Sequence, residues 1–382
     1  MQKRIRLISV GIVLIVLLIG IIVINNNSNS KYSFTQDGIK YALTLDGNKI
    51  TSFPSKGMYK AQVTCVGADG KWLYDEWKLA IENITSDDVT CDINFSTITK
   101  TSLNEYIISL AGTTQGTGQV VNENGYRYEG KNPNNYIWFN NEYWRIIGVF
   151  DSASHGVSGK NLVKIIRADV LDGLAWNKSN TNDWTASSLK SLLNGAYYNA
   201  QDGTNSGYCY GYSTTATANC DYTKRGIQAG YRGMIASVTW HLGGYLSTSA
   251  TTSAFYGYER GTTVYSGRPT STTGYIGLMY PSDYGYSVLS SSCARTTNLG
   301  SYNSANCAGQ SWLYGKGYEW TLTPYSSYSD SVFILRYNGY VHGSIANYGC
   351  GSRPVLYLDA SVYKIDGDGS LNNPYIVGMW YA

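Results

Sequence analysis

Three hydrophobic patterns follow one another along this chain of 382 residues, and the first is an unbroken apolar run. Residues 7–24 (LISVGIVLIVLLIGIIVI) contain no charge and follow the basic residues Lys3, Arg4 and Arg6. As a helix, at roughly 1.5 Å per residue, the run is about 27 Å long and can cross a bilayer. We therefore predict that residues 1–30 are a cytoplasmic tip and a transmembrane anchor.

The charges around this run predict its orientation. Basic residues on its N-terminal side favour a single-pass protein of the plasma membrane whose C-terminal part is extracellular. A cleaved signal peptide is the alternative, but no A-x-A-like cleavage site follows Ile24. A pilin-type N-terminus is similar in hydrophobicity alone, because its processing motif is absent.

The second pattern is the alternation of apolar and polar residues, which predicts β-strands. It occurs at residues 41–45 (YALTL) and 59–63 (YKAQV), with turn residues at 46–48 and 67–70. We predict a small β module over residues 31–97. Residues 98–118 then read as a short helix followed by a flexible linker, TTQGTG.

The third pattern, from residue 119 to 382, mixes short strand runs with one helical segment. Residues 135–150 contain two strand runs around an Asn-Asn turn, whereas residues 183–198 have helical spacing with Asp183 as a candidate N-cap. Long loops separate these elements. The predicted fold class is therefore α+β: a transmembrane helix, a small β domain, and a larger domain with long loops.

Composition excludes one class of partner. Only 14% of the residues are charged, the net charge is +3, and the Lys and Arg residues are scattered. A phosphate backbone requires a basic stripe, so no nucleic-acid partner is expected.

The seven cysteines indicate an oxidising compartment. Pairing each with its nearest neighbour predicts three disulfides, Cys65–Cys91, Cys209–Cys220 and Cys293–Cys307. Cys350 remains unpaired, and its position in a Tyr-rich stretch suggests exposure. There is no C-x-x-C pair and there are only three His, which makes a zinc site improbable.

Tyrosine is the most unusual feature of the composition, with 36 residues. In the stretch from Tyr318 to Tyr348, tyrosines alternate with Ser, Gly and Asn. Tyr offers a large rigid contact area and one polar tip, and small polar neighbours provide adaptable hydrogen bonds, as in antibody paratopes. The alternative is that Tyr simply fills strands of an extracellular β domain.

Two motifs bracket this stretch. Residues 319–324 (EWTLTP) precede it, and residues 351–356 (GSRPVL) follow it; residues 135–148 carry a third, less specific pattern. The arrangement resembles bacterial surface domains with a C-type-lectin-like fold, akin to formylglycine-generating-enzyme-like modules and the variable proteins of diversity-generating retroelements. The resemblance covers roughly residues 125–377.

The resemblance implies a division of roles. Trp320 and Arg353 would be scaffold, and ligand binding would fall to the polar and aromatic side chains between Pro324 and Cys350. These are Tyr325, Ser326, Tyr328, Asp330, Tyr337, Asn338, Tyr340, His342, Asn347 and Tyr348.

Neither catalysis nor a metal is expected. A formylglycine-generating activity needs a redox-active cysteine pair, and nothing in the sequence fixes a Ser-His-Asp geometry. Residues 366–373 (DGDGSLNN) place carboxylates and amides at alternating positions, which suits calcium, but the bidentate Glu of an EF-hand loop is absent and a plain turn is favoured. No cofactor is predicted.

The predicted function is therefore non-enzymatic. We expect a membrane-anchored surface protein that recognises a glycan or a protein through its Tyr-rich loops. The alternatives are a pilus-like or structural envelope subunit without a discrete ligand, and a degenerate enzyme.

Overall fold

The structure is a computed structural model whose described residues fall into two compact units, one that ends before residue 101 and one that begins there. It describes residues 31–379 with the exception of Ser33, Asp37, Met58, Asp75, Thr99, Lys100, residues 213–218 and Lys316.

The first unit is made of β-strands. These are β1 (Phe34–Gln36), β2 (Ile39–Leu45), β3 (Asn48–Ile50), β4 (Tyr59–Val66), β5 (Asp69–Leu73), β6 (Lys78–Glu82) and β7 (Thr90–Thr97). Five of them form a sheet in the order β1-β2-β7-β4, with β3 paired to β2, and β5 pairs with β6. The alternating pattern of residues 59–63 lies in β4, where every second side chain is exposed.

A disulfide and an aromatic cluster hold this unit together. Cys65 lies directly opposite Cys91 in the β4–β7 ladder, and the predicted Cys65–Cys91 disulfide is confirmed. Trp72 is buried in the same hydrophobic core as Cys91 and packs edge-to-face on Phe95, with ring centroids 5.0 Å apart. Such pairs add to the free energy of area burial, so a small core is stabilised by both devices.

The second unit begins with a helix, but the predicted linker is wrong. Residues 113–118 do not form a flexible segment: β8 (Thr114–Gln115) and β9 (Thr117–Asn122) form a hairpin that extends a sheet. Gly116 makes the turn at a φ of +58°, a backbone conformation that favours glycine. Gly118 lies so close to the Glu129 carbonyl that a Cβ would clash with it. The glycines that read as a linker are required by a tight turn and a close approach.

The remaining strands of the second unit are mostly short. They are β10 (Tyr126–Asn132), β11 (Tyr136–Phe139), β12 (Glu142–Phe150), β13 (Leu162–Arg167), β14 (Gly173–Ala175), β15 (Val238–His241), β16 (Ser271–Gly274), β17 (Ile276–Gly277), β18 (Glu319–Pro324), β19 (Ser331–Leu335), β20 (Val341–Ile345), β21 (Gly349–Gly351), β22 (Val355–Leu358), β23 (Val362–Asp366) and β24 (Tyr375–Met379).

The helices described in this unit are also short, with at most eight residues. They are α1 (Leu103–Ser109), α2 (Ser152–His155), α3 (Ser188–Leu192), α4 (Ala229–Arg232), α5 (Thr252–Glu259) and α6 (Pro281–Ser287), with 3₁₀ turns at Trp184–Ala186, Leu299–Ser301 and Ala308–Gln310 and a π-helical turn at Leu193–Tyr197. The predicted helix at 183–198 is thus split into three pieces. Asp183 caps the first by accepting a hydrogen bond from the Thr185 amide, as predicted.

The predicted fold class, α+β with a transmembrane helix, is wrong. The chain is mostly β, with 38% strand and 15% helix. No helix within the described residues is long and apolar enough to span a membrane, and the predicted anchor at residues 7–24 lies outside them. Strand outweighs helix because the predicted helix at residues 183–198 is broken into short 3₁₀, α and π pieces and residues 113–118 belong to a hairpin.

Two sheets organise the second unit. A ten-stranded sheet runs in the order β17-β22-β13-β12-β10-β9-β8, with β11, β24 and β23 attached through β12. A five-stranded sheet runs in the order β14-β21-β18-β19-β20. The predicted disulfides Cys209–Cys220 and Cys293–Cys307 are both confirmed, and they close short loops of this unit.

A row of polar side chains crosses the larger sheet. Arg127 on β10 and Lys164 on β13 both lie opposite Gly148 on β12, and Lys164 also lies opposite Tyr357 on β22. Asp283 on α6 accepts hydrogen bonds from Arg127 Nη1 at 3.0 Å and from Lys164 Nζ at 2.5 Å. The side chains of Arg127, Lys164, Tyr357 and Asp283 are all buried.

Two further charged residues, at the end of α5, complete what we call the buried charge cluster: Arg127, Lys164, Glu259, Arg260 and Asp283. The Glu259 carboxylate accepts hydrogen bonds from the backbone amide and hydroxyl of Ser282, and it lies 3.3 Å from Arg260 Nη1. Burial raises the pKa of Glu259 to about 7, even though Arg260 and Ser282 oppose this. Glu259 thus retains its proton in the folded chain under conditions where the unfolded chain loses it.

This raised pKa predicts a pH-dependent contribution to stability. Between pH 4.5 and about pH 7 the folded state holds a proton that the unfolded state has released, so stability falls as the pH rises. Over that window the loss from Glu259 is about 3 kcal/mol. We expect Glu259→Gln to remove this part of the slope, measured as the difference between variant and wild-type unfolding free energies at several pH values. A parallel pH profile for the two proteins would contradict it.

Candidate functional site

The predicted binding residues lie at two opposite ends of the five-stranded sheet. The β18–β19 loop and the turn after β20 meet at one end, where Ser331 pairs with Ile345; the β19–β20 loop lies at the other, beyond the Leu335–Val341 pair. Four residues of strand separate the ends by roughly 14 Å. The structure therefore divides the predicted set into two groups.

Six predicted residues lie at the first end: Tyr325, Ser326, Tyr328, Asp330, Asn347 and Tyr348. The Tyr328 and Tyr348 rings are 58% and 43% exposed. Tyr325 is buried and stacks on Phe333 with ring centroids 4.0 Å apart, so it anchors the start of the β18–β19 loop to the core. Burial raises the pKa of Tyr325 to about 12.

The other four predicted residues lie at or near the opposite end. The Tyr337 ring is 53% exposed and lies 5.4 Å from the Tyr318 ring. Asn338 and Tyr340 are half-buried, and His342 is exposed on β20 with its Nδ1 2.9 Å from the Gly343 carbonyl. This group forms a second, smaller aromatic patch.

Further tyrosines lie at the first end, on a segment outside the predicted binding window. Residues 207–212 contain Tyr208 and Tyr212, whose rings are 44% and 56% exposed. The Tyr212 and Tyr348 rings meet edge-to-face at 5.2 Å. The signal was present in the sequence as Y-C-Y-G-Y, a tyrosine-dense stretch anchored by a cysteine, but it lies more than 100 residues before the predicted window.

We call this end of the sheet the loop-end surface. It comprises residues 177–182, 207–212, 325–331 and 346–348, and its four exposed rings are those of Tyr208, Tyr212, Tyr328 and Tyr348. Backbone hydrogen bonds join the segments: the Ala346 amide donates to the Asp330 carbonyl at 2.7 Å, and the Asn177 amide donates to the Ala346 carbonyl at 2.9 Å.

Asn182 is the anchor beneath the β18–β19 loop. Its buried Nδ2 lies 2.7, 2.7 and 3.1 Å from the backbone carbonyl oxygens of Tyr325, Tyr328 and Ser331. Its backbone amide donates to the Ser329 carbonyl at 2.9 Å, and Arg268 donates to both Asn182 and Ser329. The loop is thus held in one conformation by a side chain from a distant segment, which lowers the entropy lost on binding.

Lys178 and a disulfide hold residues 207–212 in place. Lys178 Nζ donates to the Gly207 carbonyl at 2.8 Å and lies 4.7 Å from the Tyr210 ring centroid. The Ala175 amide on β14 donates to the Tyr210 carbonyl at 2.8 Å. Together with Cys209–Cys220, these contacts fix residues 207–212 against the edge of the sheet.

The two predicted scaffold residues lie in the core of the same sheet. Trp320 Nε1 donates to the Leu174 carbonyl at 2.7 Å, and Arg353 Nε donates to the Glu319 carboxylate at 2.6 Å. Arg353 also donates to the Leu313 carbonyl at 2.7 Å. Both side chains are buried, and their contacts link the strand ends rather than reaching solvent.

The expectation that Cys350 is exposed is wrong. Cys350 lies on β21 opposite Leu174 and is buried as a free thiol. Burial raises the pKa of the thiol to about 12, so it is protonated at neutral pH. A buried, protonated thiol behaves as a small apolar side chain and is inert.

Residues 366–373, the candidate calcium segment, contain a turn. The Asp368 carboxylate accepts a hydrogen bond from the Ser370 amide at 2.9 Å, and Gly367 and Gly369 both adopt positive φ. Across the part of the chain that the structure describes, no cluster of three His, Cys, Asp or Glu residues could hold a metal ion.

The Asn182 anchor makes a testable prediction. Asn182→Ala leaves the Tyr325 and Tyr328 carbonyls without a donor, whereas the Ser331 carbonyl still accepts from the Tyr325 amide. The change should lower the free energy of unfolding by about 2 kcal/mol. Amide hydrogen exchange in residues 325–331 should become faster, whereas residues 336–340 at the opposite end provide the internal control. Equal changes in both loops would show that Asn182 acts on the fold generally.

Comparison with known proteins adds no assignment: no family model, no curated protein and no solved structure matches the chain. The resemblance to C-type-lectin-like surface domains thus stays a prediction from sequence motifs.

Proposed function

We propose that this chain is a bacterial cell-surface binding or adhesion protein whose second unit recognises an extracellular glycan or protein through the loop-end surface. The observation that carries the proposal is that exposed tyrosines from distant segments of the chain lie at one end of the sheet, where the Tyr212 and Tyr348 rings are 5.2 Å apart. Single exposed aromatics are ordinary, but a group of them in one place is typical of recognition surfaces.

The rigidity of the surface supports the same function. The exposed rings stand on loops whose backbones are anchored by Asn182, Lys178 and a disulfide. A pre-formed surface loses little conformational entropy when it binds. Tyr rings can stack on the apolar face of a sugar or fill a protein pocket, while neighbouring Ser, Asn and Asp side chains provide hydrogen bonds.

The three disulfides support an extracellular location. They form and persist in oxidising compartments and are rare in the cytosol. Since the first unit and the second unit both contain disulfides, both belong on the same side of the membrane.

An array experiment tests the proposal. The full-length protein, fluorescently labelled, is applied to one array of glycans and one of extracellular proteins. We expect binding to a chemically related subset on one of them. Reduction of the disulfides should abolish it, because the Cys209–Cys220 bond holds Tyr208 and Tyr212 in place. No binding on either array by folded protein, or binding that survives reduction, would contradict the proposal.

A further inference from the structure

The buried charge cluster has more positive than negative charge. Arg127, Lys164 and Arg260 carry three positive charges, and Asp283 and Glu259 carry two negative charges at most. Asp283 is ionised, because the ion pairs with Lys164 and Arg127 outweigh the effect of burial and lower its pKa. Burial lowers the pKa of Lys164 to about 8, so it remains largely charged at neutral pH.

The two histidines beside the cluster do not supply the missing negative charge, and the Glu123 and Glu129 carboxylates are both paired with Arg295. Two histidines lie beside the cluster, His155 with its ring 5.4 Å from that of Tyr357, and His241, whose pKa is affected by Arg260 and Lys164. Burial lowers the pKa of both, which keeps them neutral. Asp151, which acts on His155, lies exposed at the start of α2.

Three buried polar atoms in this place have no hydrogen-bond partner among the described residues: Arg127 Nη2, Arg260 Nε and the hydroxyl of Tyr357. Both guanidinium groups act electrostatically on the Tyr357 hydroxyl. They also flank one ring, with the Arg260 and Arg127 Cζ atoms 3.5 and 5.7 Å from the Tyr256 centroid. Arg127 Nη2, Arg260 Nε and the Tyr357 hydroxyl are all hydrogen-bond donors. A buried donor without a partner lowers the stability of the folded state.

We propose that this cluster binds one small monovalent anion, chloride in a physiological medium. The anion accepts hydrogen bonds from the two guanidinium N–H groups and from the Tyr357 hydroxyl, and its charge offsets the excess positive charge. Water would satisfy the same donors, but it would leave that charge uncompensated in the interior of the protein. The site lies between the ten-stranded sheet and the helices α5 and α6, and none of its residues belongs to the loop-end surface.

The test measures thermal unfolding of the full-length protein while chloride replaces isethionate at constant ionic strength. An anion that binds only the folded state raises the unfolding midpoint by roughly 3 °C for each tenfold increase above its dissociation constant, over about 1 to 300 mM chloride. Bromide should act like chloride, and crystals grown in bromide should show an anomalous peak beside Tyr357. Equal midpoints in chloride and isethionate would overturn the proposal and leave water as the partner.

A matched pair of variants locates the site. Tyr357→Phe removes one donor, and the chloride concentration at which the midpoint starts to rise should increase about tenfold, as expected for one lost hydrogen bond to a charged group. Tyr197→Phe is the control, because that hydroxyl is equally buried and unpartnered but lies outside the cluster. It should keep the wild-type chloride response. Identical responses of the two variants would place the anion elsewhere and refute the assignment to this cluster.

Discussion

Replacing Tyr328 and Tyr348 together with alanine is expected to weaken ligand binding at least tenfold. Both rings are about half exposed at the loop-end surface, and exposed tyrosines in recognition surfaces commonly contribute about 1–2 kcal/mol each. The fold should tolerate the change, because neither ring lies in the core. The measurement is the affinity of the double variant for the array component that the wild-type protein binds.

The opposite end of the sheet provides the control. Tyr318→Ala with Tyr337→Ala also removes two exposed, neighbouring rings, with centroids 5.4 Å apart, but at the β19–β20 loop. We expect this variant to bind like wild type. A loss of binding in the control with retention in the Tyr328/Tyr348 variant would move the site to the other end. If neither double variant lost binding, the proposal that exposed tyrosines bind the ligand would be wrong.

The second large effect is expected in the core, from Asp283→Asn. This change removes the carboxylate that contacts both Arg127 and Lys164 and leaves two buried cations without their partner. Breaking a buried ion pair in this way typically lowers the free energy of unfolding by about 3–5 kcal/mol. Chemical denaturation of the variant at neutral pH measures it.

A surface pair in the same unit is the matched comparison for that change. Asp172 forms an ion pair with Arg225 at 2.8 Å, but both side chains are about one-third exposed. Asp172→Asn should change stability little, because solvent screens such pairs. If Asp283→Asn were no more harmful than Asp172→Asn, the buried charge cluster would not be a stabilising feature of the core.

Local patterns predicted those features that depend on neighbours in sequence. The three disulfides followed from the nearest-neighbour spacing of cysteines, since closing a short loop brings such pairs together readily. The cap at Asp183 and the alternating strand β4 depended on residues a few positions away. The predicted fold class was wrong because the helical spacing of residues 183–198 does not show that packing breaks this segment into short 3₁₀, α and π pieces.

The candidate site was only half predictable for a geometric reason. Antiparallel strands place successive loops at alternate ends of a sheet, so a continuous tyrosine-rich segment was divided between two places. Conversely, Tyr212 and Tyr348 became neighbours although 136 residues separate them in sequence. Neither outcome can be read from composition, because it depends on strand order and register.

The sequence by itself determined the composition of the surface, the disulfide pairing and the strand-forming alternation, because these follow from residue type and short spacing. Tertiary structure alone decided which tyrosines share a surface, why Cys350 is inert, and that Asp283 is the central counter-ion of the core. Asp283 and Lys164 lie 119 residues apart in the chain and 2.5 Å apart in space. Contacts of that kind arise only when β13 and α6 pack together. Burial then makes the electrostatic interactions of charges and hydroxyl groups stronger than they are in water.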